Sequence, residues 1–133
     1  MPKTKILVVD DDVDFVTFTK TVLEQCGYEL ISAGNSKHGM TMLAREKPDL
    51  VILDVIMSSV LDGLTMSRLM KEDQSYKHIP IIMVTSIANT DYSMLFSTDT
   101  NISFDAFLTK PIKPADLKGK IEEILAGQRK TRI

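Results

Sequence analysis

An α/β domain built on one parallel sheet is what the sequence predicts, and three observations lead there. Short apolar runs recur at residues 6–9, 30–31, 50–53, 81–84 and 106–108. The first, third and fourth are unbroken rather than alternating, which suits strands covered on both faces. The segments between the runs carry helical spacing, so the pattern is strand then helix, five times over.

Each element has its own local reason. The first strand, 6–9, runs straight into Asp10, Asp11 and Asp12, three consecutive carboxylates. Phe15, Phe18 and Val22 repeat at three and four in the first helix, and Gly27 follows its end. Residues 30–31 make the second strand, and Met40 and Leu43 mark the second helix. Pro48 precedes the third strand, which leads into Asp54; Met66, Leu69 and Met70 mark the third helix. The fourth strand leads into Thr85 and Ser86. The stretch "FSTDTNISFD" beyond them is rich in turn formers and poor in periodicity, so the fourth helix is expected to be short. The fifth strand leads into Lys110. Pro114 sits where a helix's first turn belongs, and Leu117, Ile121, Ile124 and Leu125 form the clearest apolar stripe. Residues 1–127 read as one domain, and 128–133 as a short basic tail, solvated and frayed, with Arg129, Lys130 and Arg132.

Composition narrows the function. A chain of 133 residues is long enough to bury a real core. A formal net charge of −2 argues against nucleic acid, whose phosphates want an excess of Lys and Arg. Cys26 is the only cysteine, so no internal disulfide forms, which fits a reducing compartment. No apolar run approaches the roughly 18 residues of a membrane span, and the N-terminus lacks a signal peptide's apolar stretch. The expectation is a cytoplasmic protein that binds neither nucleic acid nor membrane.

Ligands of open parallel sheets bind beyond the carboxyl ends of strands, near the point where strand order reverses. Asp10, Asp11, Asp12, Asp54, Thr85, Ser86 and Lys110 all fall on that rim. A helix start needs one cap, which Asp12 supplies, and this leaves Asp10, Asp11 and Asp54 as a set. Clustered carboxylates repel unless a cation intervenes. Oxygen ligands suit Mg²⁺, which works beside phosphate groups. His38 and His78 are isolated and read as surface residues, so zinc has no ligand set. A carboxylate also serves as a nucleophile toward phosphorus when a metal, a fixed cation and a hydrogen-bond donor absorb the charge. Asp54, Mg²⁺, Lys110 and Thr85 would fill those roles in that order.

The stretches "VVDDD", "LVILDVIM…DG", "IIMVTS" and "FLTKPI" resemble the signatures of response-regulator receiver domains of two-component signalling. The resemblance runs from Lys5 to about Leu125. It implies a five-stranded parallel sheet of order 2-1-3-4-5 flanked by five helices, the flavodoxin-like arrangement. It also implies that Asp54 is phosphorylated, that Asp11 binds Mg²⁺ directly and Asp10 through water, and that the Ile56 carbonyl is a further ligand. Thr85 matches the hydroxyl that bonds the phosphoryl group, and Lys110 the lysine that pairs with it. Phe107 takes the aromatic switch position, and the Lys110–Pro111 bond is expected to be cis. The side chains two after the phosphoacceptor and two after the hydroxyl flank the hydrolytic water in this family. Here they are Ile56 and Ile87, so slow loss of the phosphoryl group is expected.

Two stretches depart from the family pattern. The spacing from Asp54 to Asp62-Gly63 is longer than usual and carries Ser58 where proline is common. The spacing from Thr85 to Lys110 is longer too and lacks the usual Gly-Ala pair. The implied function is a phosphoacceptor switch fed by a histidine kinase or phosphotransfer protein and read by a downstream protein target. It would catalyse only its own phosphorylation and dephosphorylation. The alternative is a phosphorylation-independent interaction module, against which the complete set of acids, hydroxyl and lysine argues. A small-molecule phosphotransferase would want a second acid where Ile56 stands, and a dinucleotide-binding domain a glycine fingerprint where "DDDVDF" stands. The chain reads as a stand-alone receiver or a piece of a longer regulator.

Overall fold

Unbroken β-branched runs become the middle of a single parallel sheet in the computed structural model, which describes residues 3–54, 62–85 and 105–131. The strands are β1 (Lys5–Val9), β2 (Glu29–Ala33), β3 (Leu50–Asp54), β4 (Ile81–Thr85) and β5 (Ala106–Thr109). Their order is β2-β1-β3-β4-β5, every pairing is parallel, and the order expected from the resemblance is the one found. Side chains alternate across the pleat. Leu7, Val9, Val51, Leu53, Ile81 and Met83 join one core cluster, and Ile6, Val8, Leu50, Ile52, Ile82 and Val84 the other.

Helices cover both faces. α2 (Ser36–Glu46) and α3 (Asp62–Glu72) bring Leu43, Met66 and Met70 to the first cluster. α1 (Val13–Gln25) and α4 (Pro114–Thr131) bring Phe15, Leu23, Leu117 and Ile121 to the second. The twelve strand residues just named are at most 1% exposed. Each such burial stabilises by about 1.5–3 kcal/mol, which is why these runs do not alternate with polar residues.

Four helices occur among the described residues. The helix expected between β4 and β5 falls in 86–104, and the lengthened loop after Asp54 in 55–61; both lie outside the described residues, as do Ile56, Ser58, Ser86 and Ile87. Three details differ from the sequence pattern. The buried stripe of α1 is Phe15, Thr19 and Leu23, with Phe18 and Val22 half-buried beside it, because the i, i+4, i+8 row faces the sheet squarely. Leu69 is 42% exposed, so among the described side chains of α3 the apolar packing comes from Met66 and Met70. The helix after β5 continues past Gly127 to Thr131, where a frayed tail was expected. Gln, Arg and Lys are good helix formers, and one glycine costs only about 1 kcal/mol.

Caps set the boundaries. Asp12 accepts from the amides of Asp14 and Phe15 to start α1, and Asn35 from that of His38 to start α2. The opposite end of the sheet is pinned by Lys5. Its amide donates to Asp49 Oδ2 at 2.8 Å, and its ammonium lies 3.1 Å from Glu46 and 3.5 Å from Glu29. His38 and His78 are exposed, as the sequence suggested.

Candidate functional site

From β1 the chain crosses to β2 on one side, and from β3 to β4 on the other, so a crevice opens at the carboxyl ends of β1 and β3. Val9 pairs with Leu53 in register, which brings the next residues, Asp10 and Asp54, level at that crevice. One carboxylate oxygen each from Asp10, Asp11 and Asp54 lies within 4.8 Å of the others. Asp10 and Asp54 are buried, and Asp11 is exposed. The Asp10 amide donates to the Ala33 carbonyl at 2.9 Å, and its Oδ1 accepts from the Asp12 amide at 2.9 Å. These bonds fix the turn that gathers the acids.

Lys110 enters from the end of β5, across from Thr85 through the pairing of Thr85 with Thr109. Its ammonium lies 2.9 Å from Asp10 Oδ2, 3.6 Å from Asp12 Oδ2 and 3.8 Å from Asp54 Oδ2. The ring centroid of Phe15 is 4.4 Å away. The Lys110–Pro111 bond is cis, as expected. Burial alone would lower the pKa of Lys110; close contact with Asp10 and the charges of Asp54 and Asp12 outweigh it and raise the value above the ordinary one. Lys110 is thus a fixed cation at neutral pH.

The donor set fits a hard divalent cation. It offers only carboxylate oxygens, and acids outnumber the one ammonium among them. Among the described residues, the buried Asp10 Oδ2 accepts no aligned hydrogen bond and faces the Lys110 ammonium at 2.9 Å.

Thr85 is placed by its backbone at the end of β4, one residue beyond the partner of Asp54 in register. Phe107 is half-buried and packs against the cluster under α2 and α3. Ile56 and Ile87 lie outside the described residues. Sequence reasoning missed two neighbours of Lys110. Asp12 was read as a cap only, and Phe15 as core only; a helical apolar spacing gives no sign that a ring also faces a lysine.

Comparison with known proteins agrees with this arrangement. The response regulator receiver domain family matches residues 6–122. A response regulator receiver domain protein (CheY-like) from Methanospirillum hungatei JF-1 superposes with a TM-score of 0.84 at 30% identity, covering 98% of this chain and 99% of that one. The alkaline phosphatase synthesis transcriptional regulatory protein PhoP of Bacillus subtilis (strain 168) is 31% identical over 121 residues, 91% of this chain and 48% of that protein. A probable transcriptional regulator, ycf27, of Porphyridium aerugineum is 31% identical over 125 residues, 94% of this chain and 49% of that protein. The chain spans about half the length of these curated relatives. With this fold, this acidic crevice and this match over most of its length, the chain belongs to the response regulator receiver domain family of two-component signalling.

Proposed function

We propose that this receiver is a Mg²⁺-dependent phosphoacceptor switch, with Asp54 as the residue modified. The observation that supports it most is the convergence of three carboxylates within 4.8 Å with a half-buried lysine 3.8 Å from Asp54. An Asp54 oxygen attacks the phosphorus of a partner's phosphohistidine. The O–P bond forms as the P–N bond breaks, and the imidazole leaves with the bonding pair. Asp10, Asp11, Asp54 and the Ile56 carbonyl would hold Mg²⁺, which supplies charge neutralisation at the phosphoryl oxygens. Lys110 pairs with the transferred group, and the Thr85 hydroxyl donates to it. Catalysis is confined to the protein's own phosphorylation and dephosphorylation. The donor is a histidine kinase or phosphotransfer protein, and the reader a downstream protein.

The switch runs through Thr85 and Phe107. Movement of Thr85 toward the phosphoryl group vacates space that the half-buried Phe107 ring takes up. A difference of a few kcal/mol between the two arrangements suffices to reverse their populations. Amide spectra recorded with Mg²⁺ and beryllofluoride, a phosphoryl mimic, test this. The expected result is perturbation reaching Ala106, Phe107 and Leu108. Shifts confined to residues that touch the mimic would contradict the switch.

A further inference from the structure

We propose that Phe15 is a positioning residue for Lys110, and that its ring governs how readily the amine reaches a phosphoryl group on Asp54. The inference rests on the phosphoacceptor reading of that site. Three carboxylates compete for one ammonium, and the functional target is the most distant: Asp54 at 3.8 Å, against Asp10 at 2.9 Å and Asp12 at 3.6 Å. The face of Phe15 also lies close to the ammonium, 4.4 Å from its centroid. An aromatic face attracts a cation through its quadrupole without adding a charge that would hold the cation back. Both groups are largely shielded, with Phe15 8% exposed and the Lys110 side chain 13% exposed, along one wall of a cleft they share with Asp12 and Ile112. Desolvation is the condition under which this attraction is strongest.

The ring is itself held in place. The Phe15 amide donates to Asp12 Oδ1 at 3.3 Å, and Phe18 packs on the ring at 6.2 Å between centroids, tilted by 38°. Asp12 therefore fixes the start of α1 with one oxygen and faces Lys110 with the other. Burial alone does not call for an aromatic residue, because the other buried members of its core cluster, among them Ile6, Val8 and Leu117, are all aliphatic. Without the ring, water or the half-exposed Asp12 carboxylate would draw the ammonium away from Asp54.

The full chain with Phe15→Tyr, Phe15→Leu and a series of progressively fluorinated phenylalanines at position 15 tests this. Two quantities are read: the chemical shift of the Lys110 Hε protons without any ligand, and the affinity for beryllofluoride with Mg²⁺. In wild type and Phe15→Tyr the Lys110 Hε signals should lie upfield of other lysines, from the ring current. In Phe15→Leu they should move to the ordinary position, with affinity about three- to tenfold weaker. Affinity should fall stepwise with fluorination, which barely changes shape and so guards against a misfolded leucine variant. Lys110 signals at the ordinary position in wild type, wild-type affinity in Phe15→Leu, or no trend with fluorine would overturn the proposal. Failure of the phosphoacceptor reading has a separate signature. Wild type would keep its Phe15-dependent Lys110 shift yet bind no beryllofluoride, which also overturns the second half of the proposal.

Discussion

Asp12 uses its two oxygens for different tasks, one capping α1 and the other 3.6 Å from Lys110. Removing the cap in Asp12→Ala should cost about 0.5–2 kcal/mol, read as a lower urea midpoint. An unchanged midpoint would mean that water replaces the cap. The capping role was legible from residue type and position, whereas the Lys110 contact joins residues at opposite ends of the chain and leaves no local signal. Lys5 was equally silent, since its partners Glu46 and Asp49 lie far along the sequence. The Lys5 contact, reinforced by Arg45, holds Glu46 below the usual glutamate value of 4.5. A depressed carboxyl contributes stability above its unfolded value and loses it as pH falls through the folded one. Glu46→Gln should therefore be less stable than wild type at pH 7, and the gap should narrow as pH falls below 4.5 in urea titrations. At Ile56 and Ile87, branched side chains that cannot orient water should slow phosphoryl loss. Decay of the phosphorylated protein followed against Ile56→Asn with Ile87→Glu should be faster in the polar pair, and equal rates would exclude shielding.

Among the elements, the central strands were the most readable because burial on both faces writes itself as an unbroken apolar run. β2 was read as two residues and spans Glu29–Ala33, since an edge strand keeps only part of its surface in the core. Gly39 lies where α2 closely approaches Met66 of α3 and Val9 of β1. A Cβ there would lie 2.8 Å from Met66 Sδ and 3.1 Å from Val9 Cγ2. Gly39→Ala should be close to neutral, because a helix-propensity gain of up to about 1 kcal/mol offsets a shift of the flexible Met66 side chain. Gly39→Val should destabilise by about 1–3 kcal/mol through overpacking, measured by urea denaturation. A valine variant as stable as the alanine one would show that α2 and α3 separate at little cost.

For the molecule as a whole, strand order converts four separate stretches of sequence into one charged crevice, and that conversion could be read only from the combination of motifs in order. The stretches 55–61 and 86–104, which lie outside the described residues, were not legible from residue pattern, since their spacing departs from the family's. Mg²⁺ should raise the melting temperature of wild type, by about 2.7 kcal/mol of added stability at a hundredfold excess over its dissociation constant, and much less in Asp11→Ala. The most direct test is the intact mass of the chain after incubation with acetyl phosphate. With Mg²⁺, wild type should gain the mass of one phosphoryl group, and chelation of the metal or the change Asp54→Ala should abolish the gain. Undiminished labelling of Asp54→Ala, or a wild type that stays unlabelled with Mg²⁺ present, would contradict the assignment of Asp54 as the phosphoacceptor.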